Sequence, residues 1–140
     1  MANQPIVQDV MTRDPARVAP GDSIRVAIER MRERNCRRLP VLEQDRLVGI
    51  VSDRDLRRAT NSPLVLRERW YDEFMLDHIP VSACMSENPT TVMPQTPIAE
   101  AAEIMRNRKI GGLPVMEGDR LVGIITETDL LDFLIRMLER

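Results

Sequence analysis

Lysine is almost missing from this chain. Of 20 basic residues only Lys109 is lysine, and the other 19 are arginine. Histidine occurs once, at His78, and aromatic residues make up 3% of the 140 residues. Nothing around His78 supports a Ser-His-Asp arrangement or a His-based metal site, which removes most histidine chemistry. The two cysteines, Cys36 and Cys84, have no metal-ligand spacing and outline no disulfide framework. No run of 18 apolar residues exists, so no membrane span is expected. The segment MANQPIVQDV lacks a basic region followed by an apolar run and does not read as a secretory signal. A cytoplasmic location is therefore expected. Net charge is −2 despite the arginines, which disfavours a nucleic-acid binder. No convergent carboxylate pair, nucleophile–base pair or Mg²⁺ cage stands out, so an enzyme is not expected.

What the chain does have is an internal repeat, the first thing to look for in any sequence. Shifted by 74 residues it matches itself without a gap. Met11–Leu56 overlays Met85–Leu130 with 22 identities in 46 positions. The best block is LPVLEQDRLVGIVSDRDL against LPVMEGDRLVGIITETDL. Two copies of a unit too small to fold easily alone suggest an internally symmetric pair with a shared core. The organisation expected is one repeat at 1–60, a connector with a helix at 61–83, and a second repeat at 84–140.

Each copy has the same plan. A short extended piece comes first, at Ala16–Val18 and Thr90–Val92, flanked by prolines. A helix follows, at Ser23–Arg34 with Asp22 or Ser23 as cap, and at Ile98–Arg108 with Thr96 as cap and Pro97 at the first helical position. Two strands form a hairpin, Arg38–Leu42 with Leu47–Val51 and Leu113–Met116 with Leu121–Ile125, through the tight turns EQDR and EGDR. A second helix starts after Ser52 and after Thr126. The order is β-α-β-β-α, twice, an α/β (α+β) arrangement. Gly49 and Gly123 sit inside strands and read as close-packing or bulge positions.

The connector has no counterpart between the copies. Arg57–Leu66 reads as a loop and residues 67–78 as a helix. Trp70 and Phe74 lie one turn apart on it, to pack the helix or a dimer contact, or to stack on a ligand base. The last helix, Asp129–Arg140, is apolar enough on its outer face to favour self-association.

The repeat resembles a pair of CBS domains, the tandem unit called a Bateman module. The resemblance rests on VMTRDP (10–15) with CMSENP (84–89), on LPV (39–41 and 113–115), and on GIVSDRDL (49–56) with GIITETDL (123–130). It covers about two thirds of the chain, and the whole looks like a stand-alone bacterial CBS-pair protein. The resemblance implies two β-α-β-β-α repeats packed with pseudo-two-fold symmetry. It also implies a homodimer of pairs, and adenosine-containing ligands held between paired domains for regulation rather than catalysis.

Ser52 to Asp55 and Thr126 to Asp129 each open a helix at a strand end. A hydroxyl and free N–H groups there favour a phosphate. The Asp three residues on can accept both hydroxyls of a ribose, as an acidic residue does in dinucleotide-binding folds. The bland alternative is a capped helix with a dipole-matched Asp. By resemblance, each cleft is shared across the copies. One site would combine Thr126, Thr128 and Asp129 with Asp14, Ala16, Cys36, Arg37 and Arg38. The other would combine Ser52, Arg54 and Asp55 with Asn88, Thr90, Ile110, Gly111 and Gly112. Arg37 and Arg38 on one side, and Arg54 on the other, could grip phosphate oxygens, or Arg37 and Arg38 could simply blunt a strand edge. Gly111 and Gly112 leave room or make a turn. Cys36 reads as a packing residue, since a redox role needs a lowered pKa.

The expected function is a regulatory adenine-nucleotide sensor, with AMP, ADP or ATP ahead of NAD, S-adenosylmethionine or a cyclic dinucleotide. The expected partners are a second copy of the chain and an unidentified regulated protein. The alternative is a ligand-free dimerisation or scaffold module.

Overall fold

The computed structural model describes residues 4–60 and 69–139, with the side chains of all of these except 69–73. Each hairpin forms where two apolar runs flank a tight turn. Strands β2 (Arg38–Glu43) and β3 (Arg46–Ser52) pair antiparallel, as do β5 (Gly112–Glu117) and β6 (Arg120–Thr126). Gln44 and Asp45 make the first turn with φ of 50° and 64°, the left-handed geometry that a two-residue hairpin needs. Each hairpin carries a register shift, at Val41/Leu42 and at Val115/Met116.

The third strand of each sheet comes from the other repeat. Strand β1 (Thr12–Arg13) pairs with β6, and β4 (Ser86–Glu87) pairs with β3. The chain therefore divides into a contiguous unit, Ala16–Asn88, and a split unit, Met1–Pro15 with Pro89–Arg140. Glycine permits the exchange. A Cβ on Gly123 would meet Met11 Sδ at 2.7 Å and the Thr12 carbonyl at 2.8 Å. On Gly49 it would meet Met85 Sδ at 2.7 Å and the Ser86 carbonyl at 2.8 Å. Both glycines are close-approach positions, and a side chain at either would push the lent strand away.

The single shared core expected from the sequence is replaced by two clusters. Ile24, Ala27, Leu39, Val41 and Val51 centre the contiguous unit, and Val81 enters from the second repeat's lead segment. Ala101, Leu113, Val115 and Ile125 centre the split unit, and Val7 and Met11 enter from the first. Each core is thus completed by a segment of the other copy.

Helix α1 (Ile24–Arg34) is capped by Ser23, whose hydroxyl accepts the Val26 N–H at 3.4 Å. Asp22 is not the cap; its carboxylate accepts the Ala19 N–H at 2.9 Å and closes the preceding turn. Helix α4 (Ile98–Arg108) has the expected span, but Thr96 does not cap it. Its hydroxyl accepts the Met93 N–H at 3.0 Å, and Pro97 stands at the cap without a side-chain bond. The expected leading strands shrink to single parallel bridges, Val18 with Val41 and Val92 with Val115, because the chain touches the hairpin edge at one residue only.

Helix α2 (Asp53–Thr60) extends through the first four residues of the expected loop. Leu56 is buried, Arg57 pairs with Asp53 at 2.6 Å, and the Thr60 hydroxyl donates to the Leu56 carbonyl at 3.1 Å, all of which carry the helix on. The rest of that loop, with Asn61, Ser62 and Pro63, and the side chains of Trp70 and Tyr71 lie outside the described residues. Helix α3 (Arg69–His78) sets Leu76 against the contiguous unit's core. Phe74 does not join that packing: it is 49% exposed and stacks on His78, ring centroids 3.9 Å apart. Helix α5 (Glu127–Leu138) buries no residue fully, and Leu131, Leu134, Ile135 and Leu138 are 50–75% exposed. No helix among the described residues is long and apolar enough to cross a membrane.

Candidate functional site

Two equivalent hydroxyl–carboxylate pairs stand where a strand ends and a helix begins. In the contiguous unit, Ser52 closes β3 and Asp55 lies in the first turn of α2. The Ser52 N–H donates to Asp55 Oδ2 at 2.8 Å, and the Asp55 N–H donates back to Ser52 Oγ at 3.1 Å. In the split unit, the Thr126 N–H donates to Asp129 Oδ2 at 2.9 Å, and the Asp129 N–H reaches Thr126 Oγ1 at 3.4 Å. Reciprocal capping of this kind satisfies donors that a helix start leaves open. The bland reading of both motifs is therefore fulfilled, and it also fixes each carboxylate beside a helix N-terminus.

The pairs differ in what else touches them. The Thr12 hydroxyl donates to Asp129 Oδ1 at 3.3 Å. Thr12 is absent from the sequence-derived site sets; its signal was the repeated Met-Thr and Met-Ser step of the lead motif, where Ser86 is its counterpart. Burial pushes the Asp129 carboxyl above the ordinary aspartate range, bonds from Thr126 and Thr12 hold it back, and Asp132 adds a further push up. On the other side, Asp55 Oδ1 takes no hydrogen bond among the described residues. Its charge reaches Cys84, whose thiol is pushed up first by burial and then by Asp55.

The segment before each hairpin helps to seat the helix. The Arg37 carbonyl accepts the Asp53 N–H at 2.8 Å, and the Gly111 carbonyl accepts the Glu127 N–H at 3.1 Å. Arg38 pairs across to Ser52, and Gly112 to Thr126. These backbones lie beside the capped helix starts of their own units. Gly111 and Gly112 are buried, Arg37 is exposed, and Arg38 and Ile110 are half-buried. Cys36 is half-buried, and burial pushes its thiol up, opposite to what a reactive thiolate requires.

The remaining site residues are also located. Asp14 and Asn88 follow the lent strands with φ of 47° and 49°, matched left-handed turns. The Thr90 hydroxyl accepts from Arg108 at 2.8 Å. Arg54 is exposed, and its N–H donates to the Asp53 carboxylate. Ala16 packs at the edge of the contiguous unit's core. Thr128 follows Glu127 in the exposed first turn of α5. The split unit thus holds Thr126, Thr128, Asp129 and Asp14 together with Thr90, Ile110, Gly111 and Gly112. The contiguous unit holds Ser52, Arg54, Asp55 and Asn88 together with Ala16, Cys36, Arg37 and Arg38. Each expected cleft draws one half from each unit. Among the described residues no group of three or more His, Cys, Asp or Glu side chains is placed to hold a metal ion.

Comparison with known proteins shows the family and the fold. The family model described as CBS domain matches residues 7–62 and again 81–136. A CBS domain-containing protein of Dictyostelium discoideum is 37% identical over 139 residues, covering 96% of this chain and 94% of that protein. The crystal structure of CBSX2 in complex with AMP superposes with a TM-score of 0.78 at 27% identity, covering 94% and 97% of the two chains. The CBS domain pair of protein MJ0100, solved with 5′-methylthioadenosine and S-adenosyl-L-methionine, has a TM-score of 0.78 at 23% identity over 94% and 97%; at that identity the likeness is one of fold.

Proposed function

Because this chain belongs to the CBS-domain family and carries two copies of the domain, we propose that it is a non-catalytic regulatory module that binds an adenosine-containing ligand between its repeats. The observation that carries the reading is the duplicated pair of hydroxyl and carboxylate, Ser52 with Asp55 and Thr126 with Asp129, each at a helix N-terminus. A carboxylate there accepts the two ribose hydroxyls, and the helix start favours a phosphate. The similarity to CBSX2, a protein solved with AMP, supports the same ligand class.

One site is assigned Thr126, Thr128, Asp129, Asp14, Ala16, Cys36, Arg37 and Arg38. The other is assigned Ser52, Arg54, Asp55, Asn88, Thr90, Ile110, Gly111 and Gly112. AMP, ADP and ATP are the first ligands, ahead of NAD, S-adenosylmethionine and a cyclic dinucleotide. Arg37 and Arg38, or Arg54, supply forked donors for their phosphates. Binding biases the pair between two arrangements that a cytoplasmic partner protein reads, and the size of the effect is the ligand's difference in affinity between them. The exposed apolar stripe on α5 supports a homodimer. That stripe also favours the second reading, a scaffold whose clefts stay empty.

A thermal-shift panel of adenosine-containing ligands on purified, ligand-free chain separates the two. A ligand at 100 times its dissociation constant adds about 2.7 kcal/mol. For a chain of this size that is a rise of roughly 5–15 °C. A rise with one ligand class supports the sensor; no rise with any of them leaves the scaffold.

A further inference from the structure

A groove in the contiguous unit lies outside both hydroxyl–carboxylate pairs and shares only Cys36 and Arg37 with the residues assigned to a nucleotide site. It runs between α1 and α2 and encloses about 440 Å³, within the range of roughly 300–1,000 Å³ usual for small-molecule sites. Ile28 and Met31 of α1 and Leu56 of α2 give it an apolar floor, and Arg32, Arg37 and Arg57 stand around it. On α2 it uses Asp53, Leu56, Arg57 and Thr60, one helical face at spacings of three, four and seven. Ser52, Arg54 and Asp55 are not part of its lining.

The charges around it do not cancel. Arg57 pairs with Asp53 at 2.6 Å. Burial raises the Asp53 carboxyl, but bonds from Arg57 and the Arg54 N–H, with the charges of Arg57 and Arg37, more than offset this and leave it below the ordinary value. Arg32 and Arg37 make no side-chain hydrogen bond or ion pair among the described residues. Three arginines and one aspartate therefore line a groove whose floor is apolar.

The second repeat is an internal control. Its counterparts of Met31, Arg32 and Leu56 are Met105, Arg106 and Leu130, so most of the floor and one arginine are kept, with Ala102 in place of Ile28. Its counterparts of Arg37, Arg57 and Thr60 are Gly111, Leu131 and Leu134. The same fold forms there without these polar side chains, so Arg37, Arg57 and Thr60 are not demanded by the packing of the repeat. We infer that the α1–α2 groove of the contiguous unit is a second ligand site, for a small anion that joins a phosphate or carboxylate to an apolar body. The apolar body covers Ile28, Met31 and Leu56, and the anion takes the unpaired guanidinium groups in forked geometry.

The test is a titration of the full chain with phenyl phosphate, followed by amide chemical shifts in ¹H–¹⁵N spectra. Saturable shifts are expected at Cys36, Arg37, Leu56 and Thr60. Inorganic phosphate and benzyl alcohol, each carrying half of the chemistry, are expected to bind at least tenfold more weakly. Arg57→Leu with Thr60→Leu, which installs the second repeat's residues, is expected to weaken phenyl phosphate at least tenfold. Arg57→Gln, which keeps the side chain polar, serves if the double variant melts early, and is expected to show the same loss. Asp129→Ala, which removes the carboxylate of the nucleotide site that shares Cys36 and Arg37 with the groove, is expected to leave phenyl phosphate binding unchanged. Equal affinity for inorganic phosphate would mean a mere charged surface and overturn the groove. So would shifts centred on Thr126, Thr128 and Asp129 or on Ser52, Arg54 and Asp55, an unaffected Arg57 variant, or no shifts at all. AMP titrated in parallel reports on the nucleotide clefts: its failure to bind would overturn the sensor reading and leave the groove standing.

Discussion

The hydroxyl of Thr12 donates to Oδ1 of Asp129 at 3.3 Å, although the two residues stand 117 positions apart. One comes from the lead motif of the first repeat and the other from the last helix of the second. Gly123 makes the meeting possible, because β1 lies against β6 where a Cβ would clash. The carboxylate proposed to hold a ribose is thus positioned by both ends of the sequence.

Removing that hydroxyl is the direct check. Thr12→Val is expected to cost about 1 kcal/mol in urea unfolding, the usual loss for one hydrogen bond to a partly exposed acceptor. An unchanged unfolding midpoint would show that the contact contributes nothing in solution.

The two carboxylates are expected to separate the two nucleotide sites. Asp129→Ala and Asp55→Ala should each lower calorimetric stoichiometry by one adenosine-containing ligand, or weaken one binding step at least tenfold. Far-UV circular dichroism should be retained in both. Undiminished affinity and stoichiometry in both variants would remove the site assignment.

Acid separates the roles of Asp129 and Asp53. Asp129 has a folded pKa raised by burial, so the folded chain holds that proton more tightly than the unfolded one. Its contribution to stability is complete below the unfolded value of about 3.9 and is lost as pH rises through the folded value. Asp53, with a lowered folded pKa, does the reverse: its contribution is present above the unfolded value and lost as pH falls through the folded one. Relative to Asp129→Asn, the natural chain should lose melting temperature as pH is raised from about 4. Nucleotide binding that uses an ionised Asp129 should weaken on acidification at a pH above the ordinary aspartate range. A flat difference curve between the two chains would argue against a raised folded value for this half-buried carboxyl.

Gly123→Ala and Gly49→Ala are expected to destabilise by about 1–3 kcal/mol each, the cost of forcing a methyl into a packed contact. Gly21→Ala is the control, since nothing lies within 4 Å of a Cβ there, and should stay within about 0.5 kcal/mol. Equal effects at all three positions in denaturant titrations would show that the close approach of the lent strands is not what matters.

Leu134→Glu combined with Leu138→Glu is expected to dissolve the proposed homodimer. Light scattering should fall from twice the 16.1 kDa chain mass to the chain mass itself. A natural chain already at 16.1 kDa would exclude self-association through α5.

Most local structure was legible because its causes are local. The tight turns EQDR and EGDR marked the hairpins, helical spacing marked α1 and α4, and Ser23 was one of two readable caps. Thr96 misled because a threonine two residues before a helix can serve either the cap or the preceding turn, and Pro97 decides for the turn by occupying the cap. Arg57 to Thr60 continue a helix because Leu56 packs in the core, a tertiary effect that no local spacing displays. The strand exchange was present only as a hint. Gly49 and Gly123 announced that some backbone came close, but the identity of that backbone is a long-range fact. The carboxylates Asp55 and Asp129 were found by repetition, while Thr12 was missed because its contact spans nearly the whole chain. The α1–α2 groove was invisible for the same reason: its residues come from two helices that only the folded hairpin brings together.

The lent strands also set a timetable for synthesis. The contiguous unit closes on itself once residue 88 has been made, and its hairpin, helices and third strand are by then all available. The split unit cannot close at that point. Its third strand, Thr12–Arg13, is made before any of the contiguous unit, and its partner β6 begins only at Arg120. During the interval Val7 and Met11, which end in a core, have no core to enter. The early segment therefore waits, apolar side chains uncovered, while about a hundred residues are added at roughly 5–20 per second. Growth from one end thus finishes residues 16–88 before the segment that precedes them can be placed.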